Sequence, residues 1–217
     1  MAGTLPNKTI ICTFGARFKT TAARPEEGLC DIIFLDYFYR SDRGTFLNRS
    51  SAGLKWFLEF ARNANGTTQF GIGIDHGNAL GAYNDLTEAD GMSTFSDFWK
   101  MNIRHYGLLK FRVHDDLVTN RNTVQDYDNL LKKLRDLQEV NRAGDAKKFG
   151  YIILGVGLFA PRSGKVYNYL EELLRRSTVN AYKAIAITLT VRVVRMLKAS
   201  DGNTGLVYVS DPCQELK

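Results

Sequence analysis

The chain contains no stretch of about 18 consecutive apolar residues, so no part of it reads as a bilayer-spanning helix. It has no amino-terminal basic start followed by a long apolar core, so no signal peptide is read from it as given. Histidine is scarce, at three residues, and neither H-x-H nor H-E-x-x-H spacing occurs, so no metal site is expected. G-x-G-x-x-G is also missing. Gly71-Ile72-Gly73 and Gly155-Val156-Gly157 lie inside apolar runs, where glycine marks close packing rather than a phosphate-binding turn. No dinucleotide or other cofactor is expected. No low-complexity linker and no repeat divides the sequence, and 217 residues fit one domain spanning 1–217. The net charge of +6 is small and spread along the chain, which argues against dedicated nucleic-acid binding.

Cysteine is limited to three residues, Cys12, Cys30 and Cys213. An odd count allows at most one intrachain bridge and leaves a thiol over, and the count does not choose the partners. Three N-x-S/T sequons begin at Asn7, Asn48 and Asn65, which are glycosylation candidates if the chain is secreted.

What is present is a rhythm of apolar strand followed by amphipathic helix. Strand-like runs lie at Thr9–Phe14, Asp31–Tyr39, Gln69–Asp75, Leu108–His114, Tyr151–Phe159 and Lys183–Thr190. The second, fifth and sixth are nearly continuous in apolar residues, as strands buried on both faces are. Leu54, Phe57, Leu58 and Ala61 make a helical stripe after Ser51. Phe95, Phe98, Trp99 and Ile103 make another, with Thr94 and Asp97 as a capping box. The clearest stripe is Val124, Tyr127, Leu130, Leu131, Leu134 and Leu137, with Thr123 and Asp126 at its start. Tyr167, Leu170 and Leu174 make a further one. The connection over 15–29 lacks a helical pattern. Alternation of this kind predicts a parallel sheet with right-handed crossovers, open or closed into a barrel.

The order of features resembles the family-18 glycoside hydrolases, the chitinases and chitinase-like lectins. A strand Ile10-Ile11-Cys12-Thr13-Phe14 is followed after a short loop by Cys30-Asp31-Ile32-Ile33-Phe34-Leu35-Asp36-Tyr37-Phe38, similar to the family's C-T-H-I-I-Y-A-F. A helix ending in Tyr106-Gly107 enters Leu108-Leu109-Lys110-Phe111-Arg112-Val113-His114-Asp115-Asp116, where the family carries D-x-x-D-x-D-x-E. The resemblance spans about residues 9–190. It implies a (β/α)8 TIM-type barrel, and with six strands plus a seventh at Leu206–Val209, one trimmed or incomplete at its carboxyl end. It also implies a Cys12–Cys30 disulfide and secretion.

Aligning Tyr106-Gly107 with the family's Y-G puts Asp116 at the general-acid position, with His114 and Arg112 where carboxylates belong. Strict alternation gives the same register, placing Lys110, Arg112, His114 and Asp116 on one face and Leu109, Phe111 and Val113 on the other. The family's acid must be protonated to act, whereas a cation beside Asp116 favours its ionised form. Arg112 and a protonated His114 would oppose the cationic intermediate of the substrate-assisted route. The third-strand S-x-G-G is replaced by Gly73-Ile74-Asp75-His76, and the sixth-strand M-x-Y-D by Ile187-Thr188-Leu189-Thr190. The resemblance therefore implies an inactive, chitinase-like protein that binds a chitin-like or other oligosaccharide, or a protein partner, through the remnant cleft, with Asp75, His76 and Tyr37 as cleft candidates. The alternative is an active glycoside hydrolase or other barrel enzyme using Asp75, His76, Arg112, His114 and Asp116. A third reading is a protein-interacting scaffold with a filled mouth.

Overall fold

The computed structural model describes residues 9–15, 20–21, 23–40, 45–46, 50–74, 77, 79–112, 121–143, 148–158, 185–191 and 209–210. Apolar, β-branched and aromatic runs form the strands: β1 Ile11–Phe14, β2 Ile32–Arg40, β4 Gln69–Ile74, β5 Ile103–Arg112, β6 Ile152–Leu158, β7 Ile185–Val191 and β8 Val209–Ser210. A two-residue strand, β3 at Thr45–Phe46, pairs antiparallel with the end of β2.

The other pairings are parallel, in the order β7-β6-β5-β4-β2-β1-β8. From β1 to β7 each new parallel strand is added on the same side as the last. Right-handed crossovers repeated in one direction put their helices on one face of the sheet. A doubly wound sheet reverses direction part-way, and the run from β1 to β7 does not. The architecture is therefore α/β, built on a singly wound parallel sheet. β7 and β8, the two ends of the ladder, approach within 8 Å in Cα position.

Four helices are described: α1 Ala52–Asn63, α2 Ala79–Thr87, α3 Ala89–Lys100 and α4 Arg121–Arg142. Ser51 caps α1, its hydroxyl accepting the Leu54 N–H at 3.4 Å. Leu54, Phe57 and Ala61 then recur every three or four residues and are buried. On α4 the buried stripe is Tyr127, Leu130, Leu131, Leu134 and Leu137, as its periodicity requires. These residues join Cys12, Phe14, Ile33, Leu35, Phe70, Ile72, Ile74, Tyr106 and Leu108 from the strands in one helix-facing core. A smaller apolar cluster of Ile11, Ile32, Phe34 and Ile153 lies on the other face. Among the described residues no helix is long and apolar enough to cross a membrane.

The observed elements differ from the sequence reading in several places, among them Thr123 and Asp126, which lie inside α4 rather than at its start, and Tyr106-Gly107, which lie inside β5 rather than at a helix end. α3 begins at Ala89, so Thr94 is inside the helix and its hydroxyl donates to the Asp90 carbonyl at 2.7 Å instead of capping. Ile103 opens β5 rather than closing α3, because Asn102 adopts φ 68° and turns the chain. α2 stands where no helical stripe was read, since Ala79, Ala82 and Leu86 bury a face too small to mark itself. The helix expected around Tyr167, Leu170 and Leu174 lies outside the described residues.

The disulfide implied by the resemblance is present. Cys12 on β1 is bonded to Cys30, two residues before β2 begins, with the two Cα atoms 6.0 Å apart.

Candidate functional site

The face of the sheet turned away from the helices changes character along the strands. Near their amino ends it is filled. Thr13, Phe34 and Gly71 are consecutive ladder partners, and Gly71 pairs in turn with His105. A Cβ on Gly71 would lie 2.5 Å from the Phe34 ring and 2.7 Å from the His105 carbonyl oxygen, so glycine here admits Phe34. His105 is 1% exposed. Its Nδ1 accepts the Tyr151 N–H at 3.0 Å, which requires a neutral ring with any proton on Nε2. Burial, and next the Arg104 charge, push its pKa down to about 3. This histidine is a packed structural group, not an acid or base working near neutral pH.

One layer toward the carboxyl ends, the same face becomes small. Gly73 pairs with Gly107 and Gly107 with Ile153. Beyond Ile153, β6 supplies Gly155 and Gly157 at the positions of that face, opposite Thr188 and Thr190 of β7. Asp36, which follows Leu35 and opens the irregular segment between Leu35 and Tyr39, is 1% exposed. A buried carboxylate and a row of glycines at the carboxyl ends of parallel strands lie where a parallel α/β sheet of this kind presents chemistry.

Arg112 is the ladder partner of Gly157. Tyr106 and Leu108 belong to the helix-facing core, so strict alternation from them would assign Arg112 to the helix side. The ladder instead skips a residue of β5 between Leu108 and Phe111, the irregularity of a β-bulge, and Phe111 pairs with Val156. Through the bulge, Arg112 comes into backbone register with Gly157. Tyr37 lies in a second irregularity, between Leu35 and Tyr39 on β2. Asp75, His76, His114 and Asp116 lie outside the described residues, as do Asn7 and Asn48. Asn65 is exposed in the turn before β4.

Two residues of this region were missed by sequence reasoning. Asp36 had a signal: a carboxylate in the apolar run from Ile32 to Tyr39 carries a desolvation cost that a merely structural strand has no reason to bear. His105 had none, because Arg104-His105-Tyr106 reads as the end of the preceding helix. No family model matches the chain, and no curated protein matches it.

Proposed function

We propose that this protein is a secreted, chitinase-like barrel that binds an oligosaccharide at the carboxyl ends of its strands without hydrolysing it. The observation that carries the reading is the row Gly73, Gly107, Gly155 and Gly157 on the sheet face opposite the helices. Gly107 packs its backbone against the Ile153 carbonyl, and Gly73 on β4 with Gly155 and Gly157 on β6 present no side chain to a ligand approaching the backbone. Singly wound order supports closure into a barrel. Helices on one side leave the other apolar face to be buried, and curling the sheet on itself does that. The Cys12–Cys30 bond supports an oxidising compartment. An exposed Asn65 sequon fits the same location.

Asp36, buried at this level of the sheet, is the carboxylate that a ligand-bound state would bring to sugar hydroxyls. Arg112, in register with Gly157, adds a cation where the family's route needs anionic stabilisation, which opposes turnover. The test is calorimetric titration with chitotetraose. Saturable binding by the wild type, weakened at least tenfold in a folded Asp36→Asn variant, supports the reading. Absence of binding by wild-type protein rejects it in favour of a scaffold with a filled mouth.

A further inference from the structure

A second candidate site lies at the other end of the sheet, where β4, β5 and β6 begin. A solvent-open cleft of about 290 Å³ is bounded there by Gln69, Asn102, Arg104, Phe149 and Tyr151. The two aromatic rings meet edge to face at 5.0 Å and form a rigid corner. The opposite side is polar, with the amides of Gln69 and Asn102 at the starts of β4 and β5. Asn102 is held in the left-handed region at φ 68°, which fixes the turn that carries it.

Among the described residues that line this cleft, Arg104 is the charged one and none is a carboxylate. Behind Phe149, Arg135 and Arg142 of α4 each hold a guanidinium 5.7 Å from the ring centre, adding positive potential to the same wall. Glu27 lies on the Gly66 side, its pKa lowered by the Thr67 backbone hydrogen bond, so its charge sits beside the cleft without lining it. Its carboxylate is engaged by the Thr67 N–H at 3.2 Å and the Thr67 hydroxyl at 3.3 Å.

We propose that this cleft binds a small organic anion, a carboxylate or phosphate on a flat body. Arg104 supplies the counter-charge, Gln69 and Asn102 donate hydrogen bonds, and Phe149 and Tyr151 pack against the planar part. Arginine matches the two oxygens of such groups with a pair of parallel N–H donors. A cleft partly shielded by aromatic walls strengthens that attraction relative to open water. The site is separate from the sugar-binding face and does not depend on it.

Benzoate and phenyl phosphate, each against sodium chloride at matched ionic strength, test this by backbone amide NMR on the whole chain. The proposal expects saturable shifts at Gly66, Asn102 and Tyr151 with one of the two anions and not with chloride, and the preferred anion separates the carboxylate from the phosphate source. Gln69 is exposed, so Gln69→Glu keeps the fold and Arg104 while placing a carboxylate in the cleft. It should weaken binding at least tenfold, as should Arg104→Gln. Shifts that follow ionic strength alone, shifts at other residues, or unchanged binding by Gln69→Glu would overturn it. Because Gln69→Glu reports independently, misfolding of Arg104→Gln does not rescue the proposal.

Discussion

His105 and Tyr151 are locked together across the β5–β6 ladder: the Tyr151 N–H donates to His105 Nδ1 at 3.0 Å, and the two rings stack 5.3 Å apart. The arrangement admits only a neutral imidazole, and that gives the protein a pH dependence of defined sign. The folded-state pKa of His105, at about 3, lies below its unfolded value of 6.5. As pH falls below about 6.5 the unfolded chain takes up a proton that the folded chain refuses, so stability is lost with falling pH. The slope approaches about 1.4 kcal/mol per pH unit. His105→Gln keeps an acceptor and removes the titration. Urea unfolding at pH 7 and pH 5 should show wild type losing about 2 kcal/mol more than the variant over that interval. Equal losses would show that His105 is protonated in the folded protein.

The Cys12–Cys30 bond ties neighbouring strands across a sequence separation of 18. Loop-closure entropy puts its contribution at about 3 kcal/mol. Cys12→Ser with Cys30→Ser should lower the unfolding free energy by that order. Alkylation of the unreduced wild-type protein should leave both residues unlabelled. Labelling of both would remove the disulfide and the argument for an oxidising compartment with it.

Glycines on the sheet face are not equivalent. A Cβ on Gly107 would fall on the Ile153 carbonyl oxygen, a backbone atom that cannot swing away. On Gly71 the closest obstacle is the buried Phe34 ring at 2.5 Å, and the nearest backbone atom, the His105 carbonyl oxygen, is at 2.7 Å, farther than the Ile153 carbonyl oxygen would lie from a Cβ on Gly107. Gly107→Ala should therefore cost more than Gly71→Ala, which falls within the roughly 1–3 kcal/mol of an overpacked core. Thermal unfolding of the two variants gives the ranking. A mild Gly107→Ala would mean that β5 and β6 separate more easily than their ladder implies.

The sequence made the parallel sheet and the long helix legible because both rest on patterns of many residues. The stripe from Tyr127 to Leu137 repeats over three turns, and the apolar runs of β2 and β6 match strands covered on both sides. Boundaries were less legible. Thr94 with Asp97 imitates a cap, yet the apolar residues that place α3 also include Gly91, whose position against α2 no local pattern announces. The candidate site was the hardest part. A β-bulge lies between Leu108 and Phe111, and alternation counted along one strand has no access to the partner strand that creates it. Asp36 went unread because a single polar residue in an apolar run leaves the strand assignment intact while changing what the strand can do.

The proposed function carries a prediction about turnover. On the register that the family resemblance implies, Asp116→Glu alone should not produce chitinase activity, because Arg112 and His114 would favour an ionised carboxyl and oppose a cationic intermediate. A variant that also carries Arg112→Asp and His114→Asp would reverse that field. With a fluorogenic chito-oligosaccharide, turnover that arises only in the triple variant supports the charge argument. Turnover restored by Asp116→Glu alone counts against it.

Native mass spectrometry of the wild-type protein with chitotetraose, followed over several hours, reads binding and hydrolysis together. The account predicts a complex at the mass of the protein plus the intact oligosaccharide, with no shorter sugars accumulating. Release of shorter sugars that stops in Asp116→Ala, or the absence of any complex, would contradict it.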